Sequence, residues 1–369
     1  MTRASATGPE RRAAPPHAAL PINLMIVDDS AIARAVLSRM LAAYRDFEVV
    51  ALAANAGEAL DALKAVRVDI VLLDVEMPGT SGLEALPDIL REGRGARVLI
   101  LSSLCEDRAE ATVKGLALGA ADTLPKPGTG TFGGRFAEVL AERLRRIGPA
   151  APAPAPSAAA AAEASSVRLR AMSTENFACL ALGASTGGLH AIGEFLKTLP
   201  SRIGVPILVT QHLPVLFMPF FARQIEAVSG RGAQVAQSGT ILEPERILVA
   251  PGDAHLALER RGTAVGVKLC RAPAGSGCMP SVDPMFGAVS EIYGPSGLGI
   301  VFSGMGRDGL TGSARIVDRG GSVLVQDRAT SAVWGMPRAV AEAGLASAML
   351  SPADLARRIS GRPAAAAWK

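Results

Sequence analysis

Two groups of residues in this 369-residue chain have the types and spacing for covalent chemistry. The first group is mostly acidic. Asp28 and Asp29 close an apolar run at 22–27, Asp74 closes one at 70–73, Ser102 one at 98–101, and Lys126 follows a short run near 123–124. If these runs are strands of one parallel sheet, their carboxyl ends share an edge, where open α/β sheets place their ligands. Three carboxylates gathered there repel one another unless a hard cation such as Mg²⁺ joins them. Lys126 would offset the charge of an incoming phosphoryl group and Ser102 would donate it a hydrogen bond. Asp74 would then be the nucleophile, forming an acyl phosphate. Solvated loops or helix caps are the bland alternative for Asp28 and Asp29, and the agreement of the other strand ends argues against it.

The second group holds a serine nucleophile and a short choice of bases. Gly183-Ala-Ser185-Thr-Gly187-Gly188 follows an apolar run and opens a helical pattern. It fits G-x-S-x-G, in which a tight turn presents the serine beside backbone N–H groups. The pattern is weak alone, because a phosphate cradle uses similar glycines; against that rival, it lacks the GK[ST] of a P-loop and is not G-x-G-x-x-G. Of four histidines, His17 lies in a tail and His190 sits in the helix after the turn, badly placed to face back. His255 could be a substrate-side or a structural turn residue. His212 ends the run Ile207–Thr210 on the edge where Ser185 emerges, which makes it the best base. Asp308, after the run Gly299–Phe302, is the expected orienting carboxylate. Asp283 and Asp253 compete on spacing alone. The chain order Ser, His, Asp differs from that of α/β-hydrolases and argues for a separate fold.

These groups need scaffolds, and the chain divides accordingly. Residues 1–21 read as a disordered tail, 22–148 as one unit, 149–175 as an Ala/Pro-rich linker, 176–354 as a second unit and 355–369 as a C-terminal tail. Alternating Ala-Pro favours polyproline II, a semi-rigid tether. In the first unit, strand runs at 22–27, 49–53, 70–73, 98–101 and 123–124 alternate with helical patterns near 31–44, 57–66, 81–91, 107–118 and 134–147. Ile32, Val36, Leu37, Met40 and Leu41 are expected to share the buried face of the first helix. Five βα units imply a parallel, doubly wound sheet of flavodoxin-like kind. Strand runs at 179–182, 207–210, 247–249, 299–302 and 322–325 make the second unit a mostly parallel α/β domain as well.

Charge and composition bound the function. The chain is net +4, with −3 over 23–148 (15 basic, 18 acidic) and +5 over 177–369 (18 basic, 13 acidic). That balance is too mild to argue for nucleic acid. Four cysteines without a CxxC pair exclude the usual zinc and dithiol frameworks. The uncharged stretches 203–222 and 176–193 contain Pro206, Pro214 and Pro219, or Gly183, Gly187 and Gly188, and fail as membrane spans. No signal peptide is recognisable, so a soluble cytoplasmic protein without membrane insertion is expected.

VDDS at 27–30, LLDVEMPGTSGLEAL at 72–86, LSS at 101–103 and KP at 126–127 resemble the receiver domain of two-component response regulators. That resemblance implies phosphorylation of Asp74 by a chemotaxis histidine kinase, with the backbone of Glu76 completing a Mg²⁺ site of Asp28, Asp29 and Asp74. GASTGG at 183–188, QH at 211–212, APGDAHL at 250–256, PSVD at 280–283, SGMGRDG at 303–309 and VWGMP at 333–337 resemble the catalytic domain of the chemotaxis protein-glutamate methylesterases. The second resemblance implies hydrolysis of γ-glutamyl methyl esters on methyl-accepting chemotaxis receptors, with release of methanol. Some members of the family also deamidate receptor glutamines. It assigns Ser185 as nucleophile, His212 as base and Asp308 as orienting group, places Thr186 and Met305 beside them, and asks for no cofactor in the esterase. Cys278-Met279-Pro280 departs from the family, which often has Arg before PSVD. The fusion suggests a resting receiver that covers the serine turn and moves off on phosphorylation. The rivals are a DNA-binding regulator, for which the second unit has no helix-turn-helix pattern, and a catalytically idle adaptor.

Overall fold

The computed structural model describes residues 21–102, 106–126, 134–148 and 168–361. Most of the expected N-terminal tail with His17, the Ala/Pro tract, Ser103, Cys105 and Pro127 lie outside the described residues. The first unit runs β1 (Ile22–Val27), α1 (Ala31–Leu41), β2 (Phe47–Ala53), α2 (Ala56–Ala65), β3 (Ile70–Asp74), α3 (Gly82–Glu92), β4 (Arg97–Ser102), α4 (Glu106–Leu118), β5 (Asp122–Pro125) and α5 (Gly134–Ile147). Its parallel sheet has the order β2-β1-β3-β4-β5. Every residue of β3 is buried, as helices on both faces require. Helix starts carry their own signals: Asn55 caps α2, and Ser81 with Glu84 forms a capping box on α3. On α1, Leu37 and Leu41 are buried as the periodicity demands, but Ile32 is 76% exposed. The first turn of that helix therefore projects beyond the sheet it covers.

The second unit runs β6 (Cys179–Ala184), α6 (Gly188–Thr198), β7 (Ile207–Gln211), α7 (Met218–Ser229), β8 (Ala233–Val235), β9 (Ile247–Val249), β10 (His255–Arg261) and β11 (Ala264–Cys270). It continues with α8 (Val282–Tyr293), β12 (Gly297–Val301), α9 (Leu310–Asp318), β13 (Ser322–Gln326), α10 (Met336–Glu342), β14 (Ala348–Leu350) and α11 (Pro352–Ser360). Seven strands form a parallel sheet in the order β14-β13-β12-β6-β7-β9-β8, and β10 and β11 form a separate antiparallel hairpin. From β6 the next strand in sequence, β7, lies on one side, and the later β12 lies on the other. That reversal opens a crevice at the carboxyl ends of β6 and β12.

Two expected boundaries differ from the structure. Helix α11 carries buried Leu355, Ala356 and Ile359, so position 354 falls inside a packed helix. At the other end, the stretch expected to finish the linker lies on the second unit: the N–H of Arg170 donates to Ala346 O (2.9 Å) and that of Ser173 to Ser322 Oγ (2.8 Å). The two units also share one continuous apolar cluster, in which Val113 and Leu116 of α4 pack with Leu189, Met218 and Phe221 of the second unit. Among the described residues no helix is long and apolar enough to cross a membrane.

Close packing explains one glycine of the serine turn. A Cβ on Gly183 would stand 2.5 and 2.8 Å from the two γ-carbons of Val282, at the start of α8. Gly183→Ala should therefore force α8 off the sheet and cost about 1–3 kcal/mol, the usual range for overpacking. Urea denaturation measures this, and an unchanged midpoint would refute the packing argument.

Candidate active site

Ser185 follows β6 directly, and the chain turns into α6 through Gly187, whose φ of 73° an L side chain rarely adopts. The turn is pinned from three sides. Ser185 N–H donates to Ser303 O (3.0 Å), Gln211 Nε2 donates to Ser185 O (2.8 Å), and Ser303 Oγ donates to Thr186 O (2.8 Å). Ser185, Thr186, His212, Cys278 and Met305 line one cavity of about 320 Å³.

His212 lies just beyond β7, and its Nε2 is 2.7 Å from Asp308 Oδ2. Asp308 is 2% exposed, and it is held from several directions. Ser281 Oγ donates to its Oδ1 (2.6 Å), Val282 N to its Oδ2 (2.8 Å) and Gly309 N to its Oδ1 (3.1 Å). Burial alone would raise this carboxyl's pKa, but the hydrogen bond and charge of His212 and the donors from Ser281 and Val282 outweigh it and hold it down to about 2. For His212 burial works downward, and the hydrogen bonds to Asp308 and to the Cys278 side chain win, taking it up to about 9. Among the described hydrogen bonds none joins Ser185 Oγ to His212. A nucleophile–base contact in a resting site is often loose and tightens with substrate.

The competing carboxylates have other partners. Asp253 is exposed and paired with Arg271 (2.8 Å), while Asp283 accepts from Gly312 N (2.7 Å) at the start of α9. His255 is buried, with Nδ1 accepting from Ser281 N (2.9 Å) and Nε2 2.9 Å from Ala272 O. A backbone N–H only donates and a carbonyl only accepts, so this ring is a neutral structural spacer with its proton on Nε2. His190 is exposed and donates from Nδ1 to Ala117 O (2.9 Å), away from Ser185. Sequence reasoning missed Ser281 and Gln211 as the supports of Asp308 and Ser185, although both stand inside motifs that it had singled out. It also missed that the Cys278 thiol lies within 4.8 Å of the imidazole.

A second cavity, of about 660 Å³, is lined by Asp29, Asp74, Glu76, Ser102 and Lys126. Carboxylate oxygens of Asp28, Asp29 and Asp74 lie within 4.8 Å of one another. Lys126 Nζ is 2.6 Å from Asp74 Oδ2 and 2.8 Å from Asp28 Oδ2. Burial raises the Asp74 pKa despite the opposing hydrogen bond from Lys126, and the Asp28 charge adds to the rise. Crowded, half-neutralised oxygens fit a hard divalent cation well. Ser102 Oγ accepts from Thr112 Oγ1 of α4 (3.0 Å), and Glu76 N–H donates to Asp74 Oδ1 (3.2 Å).

The first unit also reaches the serine cavity, to which Leu116, Ala121, Asp122, Arg143 and Arg146 contribute walls. Gly187 N–H donates to Ala121 O (2.7 Å), and Thr186 Oγ1 stands 3.4 Å from Asp122 Oδ2. Arg143 holds Asp122 at 2.6 Å.

An NMR titration of the His212 imidazole should give a midpoint above 6.5, towards about 9, and Asp308→Asn should lower it. The stability contributed by the pair is fully present below 6.5, the imidazole's unfolded value, and is lost as pH rises through about 9. A midpoint at or below 6.5 in the wild type would contradict the pairing.

Comparison with known proteins assigns a family to each unit. The sequence model of the CheB methylesterase family matches residues 180–359, and that of the response regulator receiver domain matches 24–131. A protein-glutamate methylesterase/protein-glutamine glutaminase of Paramagnetospirillum magneticum is 36% identical over 360 residues, spanning 91% of this chain and 94% of its own. One from Caulobacter vibrioides is 38% identical, spanning 92% of this chain and 99% of its own. The crystal structure of the Thermotoga maritima CheB methylesterase catalytic domain overlays 50% of this chain and 98% of its own at a TM-score of 0.49 and 29% identity. The chain therefore belongs to the protein-glutamate methylesterase/protein-glutamine glutaminase family, with a receiver domain ahead of its methylesterase domain.

Proposed function

We propose that this protein is a phosphorylation-activated serine hydrolase that removes methyl esters from γ-glutamyl side chains of methyl-accepting chemotaxis receptors. The observation that carries the reading is the 2.7 Å His212–Asp308 pair facing the same cavity as Ser185. Nε2 of His212 is committed to Asp308, so in the neutral ring, the form favoured as pH rises towards about 9, Nδ1 is left to take the proton of Ser185 Oγ as it attacks the ester carbonyl. Backbone N–H groups of the turn, that of Gly187 among them once Ala121 O withdraws, would stabilise the oxyanion, usually the largest electrostatic contribution. Methoxide leaves with that proton as methanol. Water, deprotonated by His212, then cleaves the acyl-serine to a free carboxylate. A glutamine side chain entering the same site would follow the same route with ammonia leaving.

Asp74 is the proposed phosphoacceptor, with a chemotaxis histidine kinase as donor. Asp28, Asp29, Asp74 and the Glu76 carbonyl would hold Mg²⁺, which supplies charge neutralisation for the phosphoryl oxygens. In the resting form the receiver covers the turn, since Ala121 O occupies Gly187 N–H and Asp122 approaches Thr186. Ser102 connects the two sites: if its hydroxyl turns to a phosphoryl oxygen, Thr112 and with it α4 lose a tie. Helix α4 carries Ala117, which accepts from His190 of the esterase unit. Phosphate thus biases an interface with two states, open and covered.

Methanol release from a methylated receptor cytoplasmic fragment, under phosphorylating conditions, tests the chemistry. Wild type should release methanol and folded Ser185→Ala should lose it by about a thousandfold or more; an unaffected variant would rule out the serine mechanism. A fragment starting at residue 168, which keeps the Arg170 and Ser173 contacts, should have higher basal activity than the unphosphorylated full chain. An equal or lower rate in a folded fragment would sink the covering role.

A further inference from the structure

Cys278 has no part in the proposed hydrolysis, yet its thiol lies within 4.8 Å of a ring nitrogen of His212, and both residues line the serine cavity. We propose that Cys278, His212 and Asp308 form a binding site for a borderline-soft divalent cation, Zn²⁺ above all, and that its occupation switches the hydrolytic site off. The donor atoms of the three side chains lie within 4.8 Å of one another. Among the described residues, only this group and the receiver's three aspartates bring His, Cys, Asp or Glu together at such distances. The two groups would sort metals by chemistry. Three carboxylates suit Mg²⁺, whereas a thiolate with an imidazole and one carboxylate suits Zn²⁺.

The geometry needs little change. Zinc–nitrogen and zinc–oxygen bonds near 2.0–2.2 Å set tetrahedral neighbours about 3.3 Å apart. His212 Nε2 and Asp308 Oδ2 now stand 2.7 Å apart, sharing a proton that the cation would replace. The shell behind the carboxylate is already in place, because Ser281 Oγ, Val282 N and Gly309 N hold Asp308 independently of His212. Outer hydrogen bonds of this kind orient metal ligands. Cys278 and His212 line the serine cavity, from which water would supply a fourth ligand. Cys179 offers no alternative thiolate: it is fully buried, and burial pushes its pKa far above the ordinary thiol range.

A cation bound here occupies the base, so its effect on turnover is inhibition. That consequence rests on the hydrolase reading, while the binding itself does not.

The test uses the full chain with Mg²⁺ in excess, so that the receiver carboxylates are filled. Zn²⁺ alone is titrated calorimetrically, and Co²⁺ serves as a spectroscopic stand-in. One Zn²⁺ per chain is expected, and the Co²⁺ form should show a thiolate-to-metal charge-transfer band with strong tetrahedral visible bands. Cys278→Ser should abolish the charge-transfer band and weaken Zn²⁺ binding by about tenfold or more. His212→Ala should weaken binding likewise, with thermal melts confirming that both variants fold. A Co²⁺ spectrum without the thiolate band, or equal Zn²⁺ affinity in wild type and Cys278→Ser, would overturn the site. Methanol release unchanged by bound Zn²⁺ would overturn the inhibitory role; no methanol release even without Zn²⁺ would instead count against the hydrolase reading.

Discussion

A carboxylate taken out of water must be given hydrogen bonds in exchange, and the burial of Asp308 organises the esterase unit around that demand. Its partners come from separate parts of the chain: the imidazole after β7, the hydroxyl of Ser281, the first N–H of α8 and its own neighbour Gly309. Meeting them fixes where α8 begins. Helix α8 in turn lies against β6 so closely that position 183 has no room for a side chain. The strand that delivers Ser185 and the helix that anchors Asp308 are thus packed directly against each other, most tightly where Gly183 meets Val282. Misplacing either would part the nucleophile from its base, with the imidazole caught between.

Both units build their chemistry at the same kind of place, the reversal of strand order in a parallel sheet. In the receiver that point lies between β1 and β3, which end at Asp28 and Asp74. In the esterase it lies between β6 and β12, which lead to Ser185 and the loop bearing Asp308. The two crevices do not meet. The cavity of Asp74 is lined by receiver residues alone, whereas the receiver touches the serine turn through the end of α4, the start of β5 and α5. Any influence of one crevice on the other has to pass through the body of the receiver. The Ser102–Thr112 hydrogen bond is a short route across it.

The inner strands of both large sheets were legible because helices cover both faces and demand unbroken apolar runs; β3, β6 and β12 are buried throughout. The β10–β11 hairpin was not, since it lies outside the sheet and mixes buried Leu256 and Leu258 with exposed Arg260 and Arg261. Strands β8 and β14 are three-residue edge strands, only partly buried, and carry no apolar run like that of the equally short, fully buried β9. At the site, the choice of His212 over His190 and His255 followed from strand-end positions; His212 lines the cavity of Ser185, whereas the rings of His190 and His255 are held by Ala117 O and by Ser281 N and Ala272 O. Spacing did not separate Asp308 from Asp283, and both lie close together around the start of α8. The approach of Cys278 to His212 had no local signal. It depends on how the segment between β11 and α8 folds back over the cavity, which is a property of tertiary packing.

The closest polar contacts between the units, from Ala117 and Ala121 of the receiver, are made by backbone carbonyls. A carbonyl is present whatever side chain the position carries. Substitutions at these two positions can alter bulk, but they cannot delete the acceptor. The acceptor half of these contacts is in this respect blind to sequence, although Ala121, 2% exposed, leaves little room for a larger side chain. Pairwise covariation between the units would register little here, however strongly selection maintained the docking.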